Sequence, residues 1–414
     1  FAGGTITTNN LIANGSVTTT NLSTRRFDNI VSGDRMITAA SSVTAVGTPY
    51  QIIVRGNLAY VLSSGSSAAQ DQLTIYDVTN PAAPSSTAQV SVTEGSARFD
   101  ILGDFAFIAN TSTAQVQRID MRNKSSFVST NYAQPGAQTL KAVGRYLYVQ
   151  GSDPDLTIYE IDDAGNLNKV GTGEVGSLAL ASMDVQGSYV YIQGGINTLR
   201  VVDVSDPTQP LEKSFIPSNI FTTAIAVQGS YLYAFGNAGS AYSGASLDVY
   251  DVAKPAGTAF VGSTPIGATT TNIFVSGRYA YTATTGSLIV VDIRNPKSPV
   301  KYNFNTSAGT EKFSEVYVQG RYAYLLDSTN GRWYTFDLGG TETNALTAAT
   351  AEIGSLNVLR RSYFQQEVDA LGGLSVGING IHSAGGIDAS SFSASSTARF
   401  INNNANVTGT AWGV

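Results

Sequence analysis

The stretch VQGRYAYLLDSTNGRWYTFDL, residues 318–338, contains three short apolar runs separated by a glycine turn and a polar turn. Taken alone it predicts a β-hairpin extended by a third strand, because apolar and polar residues alternate along each run. Closely similar phrases occur six more times upstream in the chain. A recurrent unit of this length has to be interpreted as a repeat before any local motif is considered.

Two positions define the repeat. A turn glycine recurs at spacings of 47, 41, 43, 42, 48 and 43 residues, and an aromatic residue stands four positions after each glycine. Because the aromatic position is so regular, we interpret it as a packing residue and not as a stacking platform for a ligand. The glycines are Gly56, Gly103, Gly144, Gly187, Gly229, Gly277 and Gly320. The aromatic residues are Tyr60, Phe107, Tyr148, Tyr191, Tyr233, Tyr281 and Tyr324.

A third strand follows in every copy and usually ends in an acidic residue, as in LTIYDV, LRVVDV and LIVVDI. Several copies continue into a proline turn such as TNPAAP or SDPTQP. Four short antiparallel strands per repeat, at a period in the low to mid forties, are typical of a propeller blade. The sequence therefore predicts an all-β fold, a seven-bladed β-propeller of four-stranded antiparallel blades. The recurrent acid is expected to cap the amides of the turn that follows it.

The strand and turn LxVVDV…NPxxP, preceded by VxGxYAY, resembles the repeat of the LVIVD-repeat family of bacterial and archaeal surface propellers. The resemblance covers about residues 42–350. It implies the propeller fold and a place on the cell surface, and it implies no particular activity. The second and third blades depart from the pattern, because RIDMRNKSS and YEIDDAGN lack the proline turn.

The chain start predicts how the ring closes. SSVTAVGTPYQIIVRG resembles the stretch between blades TAQVSVTEGSARFDILG, so residues 42–46 are expected to form an outermost strand without a blade of their own. If this strand completes the seventh blade, two unpaired sheet edges disappear together. We therefore predict an N-terminal assembly segment at 1–35, the propeller at 36–350 and a C-terminal strand-rich segment at 351–414.

Both flanks are rich in Gly, Asn, Ser and Thr and contain short apolar segments. In this they resemble the shafts of fibrous surface proteins. They hold too few large apolar residues to fold alone. We expect their strands to pair between chains. Residues 356–371 fit either a helix or a strand, and strand is favoured. The predicted assembly residues are Ile6, Leu11, Ile12, Val17, Leu22, Leu356, Val358, Leu374, Val376, Ile378, Ile381 and Ile387.

The sequence offers little basis for catalysis. His382 is its one histidine and cysteine is absent, so His-based metal sites, thiolate sites and Ser–His–Asp catalysis have no support. Acidic pairs such as Asp162 and Asp163 could bind calcium, but solvated turns are the favoured interpretation. A pair of carboxylates from two blades, as a glycosidase uses, stays open. No catalytic residue, metal site or cofactor is predicted.

The loops between the second and third strands lie on the face that usually binds ligands in propellers. Two are long, SSGSSAAQDQ in the first blade and GNAGSAYSGAS in the fifth. Mobile surface loops are the favoured interpretation, and a ligand site is the alternative. Its candidate residues are Gln70, Asp71, Tyr242, Asp327 and Arg332.

Composition completes the functional hypothesis. Charged residues are only 13%, and 24 basic against 30 acidic residues leave no basic patch for nucleic acid. No apolar run is long enough for a membrane span. We expect a secreted structural subunit, with its leader removed, that assembles with copies of itself into an extracellular surface fibre. The alternative is an adhesin or glycan-binding propeller on a stalk, and a propeller hydrolase or lyase is the third possibility.

Overall fold

The structure is a seven-bladed β-propeller, as the repeat predicts. The computed structural model describes residues 35–37, 39–65, 70–123, 126–151, 155–175, 182–193, 198–218, 220–238, 245–268, 270–306 and 311–338. Each of seven sheets contains one blade of four antiparallel strands, and in six of these blades the four strands follow one another in the sequence. The predicted assembly residues of both flanks, His382, the ambiguous segment 356–371 and Tyr242 lie outside the described residues.

Each blade begins at the centre of the ring and ends at its rim. The innermost strands are β3 (Pro49–Arg55), β7 (Ser96–Leu102), β11 (Thr139–Val143), β15 (Met183–Gln186), β19 (Ile220–Gln228), β23 (Phe274–Ser276) and β27 (Phe313–Gln319). The second strands are β4 (Leu58–Ser63), β8 (Phe105–Asn110), β12 (Tyr146–Gln150), β16 (Tyr189–Gln193), β20 (Tyr231–Ala238), β24 (Tyr279–Thr284) and β28 (Tyr322–Asp327).

The outer half of each blade is formed by two further strands. The third strands are β5 (Gln70–Asp77), β9 (Gln115–Asp120), β13 (Asp155–Ile161), β17 (Thr198–Asp203), β21 (Ser246–Asp251), β25 (Ser287–Asp292) and β29 (Arg332–Asp337). The outermost strands are β6 (Ser85–Thr93), β10 (Val128–Ala133), β14 (Leu167–Glu174), β18 (Leu211–Pro217), β22 (Ala259–Pro265), β26 (Val300–Thr306) and β2 (Ala39–Thr44). A short 3₁₀ turn, Pro255–Gly257, precedes β22.

The seven turn glycines connect the first strand of each blade to the second. All seven have a positive φ, between 57° and 63°, which L-residues with a side chain adopt at a cost. A Cβ added at Gly103 or Gly320 would meet no atom within 4 Å, so the backbone angle and not crowding requires glycine there. Tight hairpins of this kind fix the register of every blade.

The core consists of apolar layers between neighbouring blades. All seven aromatic residues of the repeat are buried, which confirms their role in packing. Tyr324, for example, packs with Leu326 and Trp333 against Ile52 and Val54 of blade 1. The Tyr324 ring lies 6.3 Å from the Trp333 ring, centroid to centroid.

The recurrent acid at the end of the third strand caps the next turn in five blades. Each of these Asp side chains accepts a hydrogen bond from the backbone N–H two residues later, at 2.8–3.1 Å. In blades 3 and 7 the acid instead pairs with the arginine after the turn glycine: Glu160 with Arg145 and Asp337 with Arg321. The five capping residues are Asp77, Asp120, Asp203, Asp251 and Asp292.

The ring closes through the N-terminal strand, as predicted. β2 pairs antiparallel with β29 and completes blade 7, although it spans 39–44 where the sequence suggested 42–46. The Ser41 hydroxyl also donates to the Pro81 carbonyl of blade 1 at 2.7 Å. Ser214 makes the equivalent bond to Pro255, from blade 4 to blade 5. Closure therefore uses a contact that also joins two interior blades.

A further strand, absent from the sequence prediction, lies on the rim. β1 (Arg35–Ile37) pairs in parallel with β26, with Arg35 opposite Phe304 and Ile37 opposite Thr306. Blade 6 therefore has five strands. β1 falls at the predicted boundary between the N-terminal segment and the propeller, and Thr38 alone separates it from β2.

Candidate functional site

Four of the five predicted ligand-loop residues are described, and their environments differ. Gln70 and Arg332 are exposed. The Asp71 carboxylate is buried and accepts hydrogen bonds from Tyr50 Oη at 3.1 Å and from the Ser96 amide at 2.8 Å. Asp327 is fully buried and caps its own turn through the amide and side chain of Asn330.

These contacts assign both carboxylates to the fold. Asp71 connects blade 1 to the start of blade 2. Burial raises the pKa of the Tyr50 hydroxyl, and the nearby Asp71 carboxylate raises it further. Gln70 and Arg332 are in different blades, and no contact joins them to each other. Because Tyr242 and parts of both long loops lie outside the described residues, ligand binding by these loops stays a prediction.

Asp162, considered above as a calcium ligand, caps a turn. One carboxylate oxygen accepts the amides of Ala164 and Asn166, and the other accepts the Asn166 side-chain amide. These bonds lower the pKa of Asp162 against the effect of burial, the largest single influence on it. Within the described ranges, no three His, Cys, Asp or Glu side chains are grouped to hold a metal ion. The same ranges contain no helix with the length and apolarity that a membrane crossing needs.

The rim of the propeller presents strand edges and apolar side chains. Five large apolar residues of the described part are strongly exposed, and all five lie on outermost strands: Val128, Leu211, Phe215, Phe260 and Val300. On β18, Leu211 is 58% and Phe215 53% exposed. A bulge in β18 lies between them, and Phe215 pairs with Arg200 whereas Leu211 pairs with Asp203, so the two side chains project from opposite faces of the strand.

The central channel is a second polar region, which the sequence analysis did not single out. The innermost strands form sheet edges, and alternate residues of such a strand turn their amides away from the partner strand. Side chains of the preceding blade satisfy these amides. Asp100 Oδ2 accepts from the Ala142 amide at 2.9 Å, and Asp184 Oδ2 accepts from the Val227 amide at 2.8 Å.

Charged side chains in the channel connect blades that are not neighbours. Arg98 Nη1 of blade 2 lies 3.6 Å from Glu315 Oε2 of blade 7, across the inner strand of blade 1. Glu315 also accepts a hydrogen bond from the Asn272 side chain at 2.8 Å. Burial raises the pKa of Glu315 to about 7, although Arg98 acts in the opposite direction.

Lys141 stands between two aspartates in the same channel. Its Nζ lies 3.4 Å from Asp184 Oδ1. Asp184 raises the pKa of Lys141 the most, and Asp100 adds to the effect. Arg55 Nη2 approaches Asp100 Oδ1 at 3.4 Å. Burial raises the pKa of the Tyr317 hydroxyl, Asp100 raises it further, and Arg55 and Lys141 lower it. The Tyr317 side chain of blade 7 therefore lies near charged residues of blades 1, 2 and 3.

Sequence reasoning missed the channel because its members belong to the repeat. Asp100, Lys141, Asp184 and Tyr317 each occupy the third position before a turn glycine. The other three copies have Ile53, Ala226 and Phe274 at that position. Comparing the seven copies position by position would have revealed the three charged residues as the exception.

Comparisons with known proteins support the fold. The LVIVD repeat matches residues 47–92, 181–216 and 267–306, so blades 1, 4 and 6 carry LVIVD repeats. Blades 2 and 3, which depart from the pattern, are not among the matched residues. A search of curated proteins finds no relative of this chain.

Several solved structures have a similar fold at low sequence identity. A functionally unknown protein from Desulfotomaculum acetoxidans DSM 771 is 15% identical, with a TM-score of 0.51 over 59% of this chain and 82% of its own. The computationally designed Ika8 protein is 8% identical, with a TM-score of 0.54 over 73% and 99%. A chain of the mitotic checkpoint complex is 13% identical, with a TM-score of 0.57 over 78% and 99%. At such identities the likeness extends to the fold alone.

Proposed function

We propose that this LVIVD-repeat β-propeller is a non-enzymatic structural subunit of an extracellular surface fibre or filament. In this assembly, strands from the flanks of one copy add to blade edges of another, and the propeller is displayed outward. The partners are copies of the same chain. The charge-poor composition, with 13% charged residues, supports a role in packed assemblies outside the cell.

The observation that carries the proposal is the pairing of β1 with β26. A segment from the N-terminal boundary adds as a strand to the outer edge of a complete four-stranded blade. Strand addition uses backbone N–H and C=O groups, so it places few demands on the acceptor sequence. The outer edges of the other blades offer the same groups to a strand from a neighbouring copy.

The exposed apolar residues favour particular edges. β18 exposes Leu211 on one face and Phe215 on the other, and the apolar face of an added strand with alternating apolar residues would cover one of them. The C-terminal segment GLSVGING has this alternation at Leu374, Val376 and Ile378. Burying a large apolar side chain stabilises an interface by about 1.5–3 kcal/mol. Such a contact would recur at every added strand and favour a repetitive assembly.

Sedimentation velocity and negative-stain electron microscopy of the full chain test the proposal. We expect fibres or large oligomers, which the double variant Leu374→Asp with Ile378→Asp disperses. The matched control, Ser375→Asp with Asn379→Asp, adds the same charge to the alternate face of the same segment and should still assemble. A monodisperse monomer at all concentrations, or equal disruption by both double variants, would contradict the assembly proposal.

The adhesin alternative has a separate experiment. It places function in the loops at 63–72 and 235–246, so binding on a glycan array should disappear when both loops are replaced by short turns. Glycan binding by a monomeric chain, lost in that variant, would favour the adhesin over the fibre subunit. A propeller hydrolase would instead lose activity on replacement of a single carboxylate.

A further inference from the structure

The charged residues of the central channel are arranged asymmetrically. Three pairs line it: Arg55 with Asp100, Arg98 with Glu315, and Lys141 with Asp184. In each pair the cation is the more accessible partner. The cation side chains are 45%, 35% and 40% exposed, whereas the carboxylate side chains are 9%, 9% and 17% exposed, in the same order. A solute in the channel therefore meets the cations first.

Both aspartates of the channel accept hydrogen bonds from backbone amides. The Asp100 carboxylate accepts the amides of Ile101 and Ala142, and the Asp184 carboxylate accepts those of Val185 and Val227. Each aspartate thus joins its own blade to the next. These backbone bonds satisfy much of the carboxylate's hydrogen-bonding capacity, so the neighbouring cation is left with donors to spare.

The cations are held loosely by comparison. Their N–O distances of 3.4, 3.6 and 3.4 Å are longer than the usual 2.7–2.9 Å of a charge-assisted hydrogen bond. Arg122 on the outside of blade 2 shows the contrast, because its guanidinium approaches Asp120 at 2.5 Å. A guanidinium has five N–H donors in a planar fork, and an ammonium has three. The channel thus presents several donors that the fold itself uses only weakly.

We propose that the central channel binds a small oxyanion, a carboxylate or phosphate group, at Arg55 and Lys141, which belong to the blades on either side of Asp100. Arg forks match the two oxygens of such groups, and Lys supplies a point charge. The Tyr317 hydroxyl, within electrostatic reach of Arg55 and Lys141, adds a polar group on the side of blade 7.

This binding site does not depend on the fibre proposal, because the channel lies inside one propeller. Isothermal titration calorimetry of the full chain tests it with sodium phosphate, sodium malonate and sodium chloride at matched ionic strength. We expect heat of binding and an increased melting temperature with phosphate, malonate or both, and none with chloride. Phosphate alone would identify a tetrahedral oxyanion as the ligand class, and malonate alone a carboxylate.

Two variants locate the site. Arg55→Gln and Lys141→Gln should each weaken oxyanion binding about tenfold or more, because each removes a charged donor. Both leave Asp100 and Asp184 with their backbone donors, and circular dichroism checks that the variants fold. Arg122→Gln, which removes an exposed arginine outside the channel, should bind as the unmodified chain does. Absence of oxyanion binding, or equal affinity in all four proteins, would overturn the proposal.

Discussion

Gln319 Nε2 donates a hydrogen bond to the Gly56 carbonyl at 2.6 Å, joining the innermost strand of blade 7 to the first turn of the ring. Gln186 and Gln228 occupy the equivalent position in blades 4 and 5 and bond to Gly229 and Gly277. The closing seam is therefore built with the same side-chain contact as two interior seams. Residues 319 and 56 are far apart in the chain, so this contact helps to hold the ring closed.

Replacing Gln319 should therefore destabilise the propeller by a measurable amount. Gln319→Ala removes one inter-blade hydrogen bond and leaves the Gly56 carbonyl to solvent, so we expect a loss of about 1 kcal/mol in the free energy of unfolding. Gln186→Ala, which removes two bonds to Gly229, is the interior comparison and should cost at least as much. Urea denaturation measures both. A loss at Gln186 with none at Gln319 would show that closure does not depend on this contact.

A turn glycine should resist substitution for conformational reasons alone. Gly103→Ala places a Cβ in open space but at a φ of 57°, so we expect a loss of about 1–2 kcal/mol. Gly257→Ala is the matched control, because its Cβ also meets nothing within 4 Å and its φ is not positive. Thermal denaturation should separate the two variants by several degrees. Equal melting temperatures would remove backbone strain as the explanation for the repeated glycine.

The buried tyrosines of the repeat should ionise only at a pH well above 10. Burial, above all, raises the pKa of Tyr148, Tyr191, Tyr233 and Tyr324 to about 12, from the ordinary value of 10.0. The neutral form is favoured in the folded state, so the stability this provides is present below pH 10 and is lost as pH rises toward 12. Ultraviolet absorbance should show these residues ionising only with unfolding. Titration of every tyrosine near pH 10 in a still-folded chain would contradict the packing.

The periodic features of the sequence were sufficient to predict the architecture. The turn glycines, the aromatic residues and the acids recur because every blade has the same arrangement of strands and turns. Local sequence patterns predict strands and turns well. Closure was predictable for the same reason, since the stretch that contains β2 resembles the stretch that begins in the outermost strand of blade 1. Only the bounds of β2 differed by a few residues, which is common where a bulge shifts register between Ala39 and Ser41.

The added rim strand and the contacts between blades that are not neighbours could not be predicted in this way. β1 adds to β26 through backbone groups, and backbone pairing leaves little trace in the sequence of a three-residue strand. The channel contacts join Arg98 to Glu315, far apart in the chain, because the circular arrangement brings blades 2 and 7 together. Asp71 and Asp327 show that the burial of a loop residue is also hard to predict from the sequence. Both look like exposed loop acids in the sequence, yet the structure buries them.

Glu315 should make stability depend on pH near neutrality. Its pKa is raised from 4.5 to about 7 because it is buried beside the channel. The folded state therefore holds this proton more tightly than the unfolded state does. The resulting stability is fully present below pH 4.5 and is lost as pH rises through 7. Glu315→Gln keeps an acceptor for Asn272 and removes the buried charge, so it should abolish this part of the pH dependence.

Above pH 7, Glu315→Gln should be more stable than the unmodified chain by up to about 3 kcal/mol, since the buried ionised carboxylate is gone. Urea unfolding at several pH values between 4 and 8.5 measures this difference in the free energy of unfolding. Glu212→Gln, at the rim beside Arg200, is the control and should leave the neutral-pH dependence in place. If Glu315→Gln is less stable than the unmodified chain at pH 8, the contact with Arg98 outweighs the burial of the charge, and the carboxylate is ionised in the folded protein.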